Sequence, residues 1–253
     1  MKARLVKYKI SNISHNLRKL PLIAAILLVS CFNFCPIVDG ADDQSIFDAV
    51  RKSDIDGVKR ILTSNPGAVN ALDNNGSTPL HVLSAIKQFG VGMGNQLSPV
   101  QEVSPIAEML ISKGANLDVK DNQGQTPLLC AIGRGEIPLA KFIIEKGADV
   151  NAAITIGDLQ GLTPLHAAAG HGYVDVVKLL IMKGANLNPQ MVRDGNTPLH
   201  IAAIYNYSEA AKILVEQGAD VHVKNKKGQS PLDAALASKN KAVVGILTDN
   251  ISK

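Results

Sequence analysis

The sequence contains no tryptophan, and aromatic residues make up only 4% of its 253 positions. That scarcity argues against a surface that binds sugars or single-stranded nucleic acid by stacking them on rings. Cysteine is almost as rare. Cys31 and Cys35 sit in the first forty residues, and Cys130 is alone in the rest. The bulk of the chain can therefore form no internal disulfide and no zinc cluster. Catalytic signatures are missing as well: no G-x-S-x-G, H-E-x-x-H or G-x-x-x-x-G-K-S/T occurs. Gly90, Gly92 and Gly94 form a G-x-G-x-G, but Pro99 follows where a phosphate-binding strand and helix should stand. No cofactor is expected. Disorder is not expected either, because 46% of the residues are hydrophobic.

Acid is absent from residues 1–20, which carry Lys2, Arg4, Lys7, Lys9, Arg18 and Lys19. An apolar run follows from Leu20 to Val38, and then Asp39, Asp42 and Asp43. A basic flank, an apolar stretch and an acidic flank form the pattern of an export signal or a single membrane anchor. Three fates are open. Small residues at Val38 and Gly40 suit cleavage before Ala41. Leu28-Val29-Ser30-Cys31 resembles a bacterial lipobox, which would lipidate Cys31. Residues 20–38 could also stay uncleaved as an anchor, since the run is close to the length of a membrane span. All three predict a chain exported across or anchored in a membrane: secreted, periplasmic or membrane-bound, with the rest on the non-cytosolic side.

This leader accounts for the basic balance. The whole chain has a formal charge of +4, but six of its 26 cations and one of its 22 acids lie in residues 1–40. Residues 41–253 are left at −1. Phosphate affinity needs clustered cations, so a nucleic-acid partner is not expected.

A repeat organises the remainder. Thr/Ser-Pro-Leu recurs at Thr78, Thr126, Thr163, Thr197 and Ser230, with spacings of 48, 37, 34 and 33 residues. Each copy follows a glycine by two residues: Gly76, Gly124, Gly161, Gly195 and Gly228. Gly-Ala-Asn/Asp recurs at Gly114, Gly147, Gly184 and Gly218. The phrase has a physical reading. Thr caps a helix N-terminus, Pro fits the first helical position, and Leu and the Ala pairs favour helix. A second helix follows, as in Val174–Leu180, with apolar residues recurring at three and four. The glycines that follow it suit left-handed helix caps.

With a period of 33 and the phrase T-P-L-H-x-A, residues 43–253 resemble the ankyrin-repeat family. The resemblance implies an all-α repeat solenoid of stacked helix-turn-helix units joined by β-turn fingers. It divides the chain into a leader (1–40), an N-terminal capping repeat (41–75), four internal repeats (76–227) and a C-terminal capping repeat (228–253). Surplus spacing places an insertion near 87–104, four extra residues within 152–160, and one near 191–194. The longer third finger is expected to expose Ile154, Ile156 and Leu159, and the fourth to expose Met191.

His81, His166 and His200 occupy the fourth letter of the phrase, where Leu129 and Asp233 stand in other units. The resemblance implies a structural role for them, bonding neighbouring units, and helix spacing puts them too far apart to share a metal ion. Function must then come from a surface. The expectation is a non-enzymatic module that binds a protein partner on its concave face, built from finger tips and the exposed side of each first helix. Candidate contact residues are Arg134, Leu162, His171, Arg193, Ile204, Tyr205 and Tyr207, chosen by register and because Arg and Tyr dominate interface hot spots. The alternative is a self-associating, membrane-tethered scaffold that uses Ile154, Ile156, Leu159 and Met191 as a homotypic patch.

Overall fold

Thr78, Thr126, Thr163, Thr197 and Ser230 each hold an extended backbone, and each side-chain oxygen accepts the N–H of the third helical residue. Proline stands at the next position, where its missing N–H would have no helical partner anyway. A helix starts at every copy of the phrase for this reason. The computed structural model describes residues 45–86 and 104–251. It shows twelve helices and no strand among those residues.

The helices come in pairs. An N-terminal cap holds α1 (Ile46–Arg51) and α2 (Ile55–Ser64), followed by a 3-10 turn at Pro66–Asn70. Five finger-led units follow: α3 (Pro79–Ala85) with α4 (Pro105–Ser112), α5 (Pro127–Arg134) with α6 (Ile137–Glu145), and α7 (Pro164–His171) with α8 (Val174–Met182). Then come α9 (Pro198–Ile204) with α10 (Ser208–Glu216), and α11 (Pro231–Ala237) with α12 (Lys241–Ile251). The odd-numbered helices pack on one another in order from α1 to α11 and form an inner row. The even-numbered helices lie behind them as an outer row, each against its own inner partner. This is the expected solenoid.

Packing follows the small and branched side chains of the phrase. Leu80, Leu128, Leu165 and Leu199 are fully buried, as are Ile106, Leu110, Ile143, Ile144 and Leu180 from the outer row. Each such side chain contributes about 1.5–3 kcal/mol by leaving water. In α7, Ala167, Ala168, Ala169 and Gly170 are buried too, so this helix sits flush between its neighbours. Gly114, Gly147, Gly184 and Gly218 end the outer helices at φ between 86° and 92°, as their spacing predicts.

Two expectations fail here. Ile154 and Met191 were expected on the surface, but they are only 5% and 3% exposed. They occupy the finger position held by Asp73, Asp121 and Asn225 elsewhere, whose backbone N–H closes the turn. Asp73 donates to Ser77 O at 3.0 Å, Asp121 to Gln125 O at 2.9 Å and Asn225 to Gln229 O at 2.9 Å. Ile154 donates likewise to Leu162 O at 2.9 Å and Met191 to Asn196 O at 3.0 Å. An inward register is thus imposed whatever the residue type. The polar versions also cap the turn with their side chains, as Asp121 Oδ1 does for the N–H groups of Gln123 and Gln125. Isoleucine and methionine cannot, and they pack instead. Ile156 stays 48% exposed as expected, and Leu159 is half-buried. The insertion near 87–104 lies almost wholly outside the described residues. The expected leader, with Cys31 and residues 20–38, lies outside them entirely.

Candidate functional site

The fingers and inner helices meet at a row of buried histidines. In the first finger-led unit, Thr78 N–H donates to His81 Nδ1 at 3.1 Å, and the other ring nitrogen lies 3.0 Å from the carbonyl of Gln125 in the next finger. A backbone N–H can only donate and a carbonyl can only accept, so the ring is the neutral Nε2–H tautomer. His166 repeats this with Thr163 (3.2 Å) and Asn196 O (3.0 Å), and His200 with Thr197 (3.3 Å) and Gln229 O (2.9 Å). Burial pushes all three below the usual imidazole range, His166 down to about 4. The expected structural role is what the geometry shows. No group of three metal-ligating side chains is present among the described residues.

A second row ties the opposite side of the fingers. The side-chain oxygens of Asn70, Asp118, Asn151 and Asn188 accept the backbone N–H of Asn116, Asp149, Asn186 and Asp220 in the following unit, at 2.7–2.9 Å. These bonds and the histidine bonds set the register of the stack. They leave one face free for other work.

That face can now be placed residue by residue. Arg134, His171 and Tyr205 occupy one register at the C-terminal ends of α5, α7 and α9, and all three are half-buried. Ile204 is half-buried beside Tyr205. His171 stacks on Tyr173, with ring centroids 5.2 Å apart and planes 15° from parallel. Its Nε2 is buried without a hydrogen-bond partner, and burial lowers its pKa. Tyr207 is 36% exposed, and its ring lies against Gly172, where a Cβ would meet it at 2.3 Å. Arg193 is at the tip of the fourth finger, paired with Asp158 of the third at 3.6 Å.

Leu162 does not belong to this surface. It is 4% exposed, turned inward at the position between Gly and Thr, and its carbonyl closes its own finger by accepting Ile154 N–H at 2.9 Å. Asn196 in the same register is equally buried, holding Asp194 Oδ2 (2.8 Å) and receiving Asn225 Nδ2 (2.9 Å). Tyr173 was absent from the sequence expectation. Its register, one unit before Tyr207, was the available signal. Exposed apolar tips at Leu72 and Val192 were also missed, because a lone aliphatic residue in a turn has no pattern of its own.

Comparison with known proteins agrees with this architecture. A model of three ankyrin repeats matches residues 100–191 and 185–253, and a single-repeat model matches residues 75–122. The chain belongs to the ankyrin-repeat family. This ankyrin-repeat protein is 32% identical over 106 residues to ankyrin repeat and SAM domain-containing protein 6 of Mus musculus, and 28% identical over the same length to that of Rattus norvegicus. The match covers 42% of this chain but only 10% of each relative. In structure it resembles a chain from the complex of Bd0816, a predatory endopeptidase of Bdellovibrio bacteriovorus, with immunity protein Bd3460. The TM-score is 0.65 and the identity 29%, over 83% of this chain and 99% of that one.

Proposed function

We propose that this ankyrin-repeat protein is a non-enzymatic binding module that grips a protein partner on its concave face. The observation that carries the reading is the column Arg134, His171 and Tyr205. Three large, partly exposed side chains recur in one register on successive inner helices, with Ile204 and Tyr207 beside them. Their neighbours in the same helices are small or buried. An arginine and tyrosines standing over a floor of alanine and glycine match the composition of interface hot spots. The similar chain in the Bdellovibrio structure comes from a complex between two proteins, which supports partner binding as the use of such a stack. We place the module outside the cytosol, exported or membrane-anchored, on the strength of the basic and apolar residues 1–38. The scaffold alternative loses two of the four residues of its patch, since Ile154 and Met191 are buried.

The test is capture from the compartment that holds the mature protein, with the wild type and an Arg134→Ala/Tyr205→Ala double variant as baits. A partner retained by the wild type and lost by the folded double variant is the expected result. Equal retention by both would exclude the concave column. N-terminal sequencing and intact mass of the mature protein test the location. An unprocessed chain in the cytosol would refute export.

A further inference from the structure

Four junctions join the five finger-led units, and one is built differently. At the other three, two bonds cross from finger to finger and from helix to finger. The finger bonds are backbone to backbone: Asn122 N–H to Asn75 O (2.9 Å), Val192 N–H to Gln160 O (2.9 Å) and Lys226 N–H to Asp194 O (2.8 Å). The helix bonds are those of His81, His166 and His200 to Gln125, Asn196 and Gln229. Between the second finger (118–125) and the third (151–162), neither exists. Leu129 stands where the ring should be, 3% exposed and unable to donate, and no backbone bond joins these two fingers.

The third finger, though longer, closes on itself as the others do. Ile154 N–H closes onto Leu162 O as in every other finger, so this carbonyl lacks only the ring that reaches its counterparts Gln125 O, Asn196 O and Gln229 O. Gly161 N–H returns to Ile154 O at 2.8 Å, the same closure that Gly76, Gly124, Gly195 and Gly228 make, so nothing within the finger replaces the two missing bonds. Beside the buried helix packing, the polar contacts that span the junction are largely at the surface. Lys120 Nζ donates to Ala153 O at 2.8 Å, Asp149 N–H to Asp118 Oδ1 at 2.9 Å, and Lys141 pairs with Asp175 at 2.9 Å. Tyr173 also lies across it, with its hydroxyl 3.0 Å from where a Cβ on Gly135 would be. Exposed charged contacts are weak and salt-screened compared with buried neutral ones.

We infer that the α5–α7 junction is an articulation point that divides the stack into two blocks, residues 45–148 and 149–251. In a linear array, stability is a sum of unit and nearest-neighbour terms, so one weak interface uncouples what lies on either side. The two blocks open and exchange with solvent independently, and the angle between them is the softest degree of freedom of the stack. This bears on binding: Arg134 lies on one block and His171, Ile204 and Tyr205 on the other, so the groove flexes at its middle. That consequence rests on the proposed binding face. The articulation itself is tested without any partner, so either can fail alone.

Hydrogen exchange of the full chain, read by mass spectrometry in mild urea, locates the boundary. Opening between α5 and α7 is expected to be about 30-fold more frequent than between α7 and α9 or between α9 and α11, the factor two ordinary hydrogen bonds confer. Leu129→His restores an acceptor for Thr126 N–H and a donor to Leu162 O, and should shrink the difference to about 5-fold. His200→Leu removes the same bond elsewhere and should create a second boundary at the α9–α11 junction. Uniform protection across the four junctions would overturn the inference. So would a boundary between α3 and α5, or an H200L protein with no new boundary.

Discussion

Replacing His166 with leucine, the residue this protein itself uses at position 129, gives a perturbation whose size depends on pH in a calculable way. At neutral pH the variant loses the bond to Asn196 O and leaves Thr163 N–H buried without an acceptor. A lost neutral bond costs about 1 kcal/mol and an orphaned buried donor about 1–3 kcal/mol, partly offset by the burial of leucine. The net loss should be about 2–3 kcal/mol, or about 1 M in urea midpoint for a typical m-value. In acid the comparison changes. The folded state holds His166 at a pKa of about 4, against 6.5 for an ordinary histidine. Between those values the unfolded chain binds a proton that the folded chain refuses. Stability is therefore retained above the unfolded pKa and lost as pH falls towards the folded one, and this group's share of the loss ends below it. From about pH 7.5 to about pH 4.5, His166 alone removes about 2.5 kcal/mol from the wild type. The leucine variant has no such group at 166, so the two proteins should become nearly equal in stability at the lower pH. Urea unfolding followed by circular dichroism at both pH values measures this. A gap of the same size at both would refute the neutral, buried tautomer assigned to the ring.

Further expectations concern packing and register. Met191→Ser should destabilise the protein by roughly 2–3 kcal/mol, since the side chain is buried, whereas Ile156→Ser should stay within about 0.5 kcal/mol of wild type. Parallel thermal melts separate the two. Gly172→Ala combines a left-handed φ of 69° with a Cβ driven into the Tyr207 ring, and should cost at least about 1–2 kcal/mol. Tyr207→Ala in the same background should recover the steric share of that loss, read from the change in melting temperature. Asn151→Ala removes a carboxamide that both accepts from Asn186 N–H and donates to Gly184 O, and should lower stability by about 1 kcal/mol in chemical denaturation.

Much of the fold was legible because its determinants are local. Thr, Pro and the alanine pairs act within one turn of helix, so five copies of one phrase placed the five inner helices that follow α1. The left-handed caps at Gly114, Gly147, Gly184 and Gly218 followed from chain spacing alone. The candidate surface was less legible. Arg134, His171 and Tyr205 share one register, and repeat arithmetic found it. Leu162, Ile154 and Met191 were misplaced because the turn-closing bonds that set a finger's inward register span insertions of different length, so no fixed spacing marks them in the sequence.

By itself the sequence determined the period, the helix starts, the family and the split of charge between a basic N-terminal segment and a nearly neutral stack. Each of these is a property of neighbouring residues or of a count. Only the tertiary structure decided which finger residues face inward, which tautomer the histidines hold, and that one junction lacks the bonds of the other three. The gap at Leu129 could be read as a departure from the phrase. Its meaning depended on whether another bond replaced the missing one, and in a solenoid that is settled where one repeat meets the next.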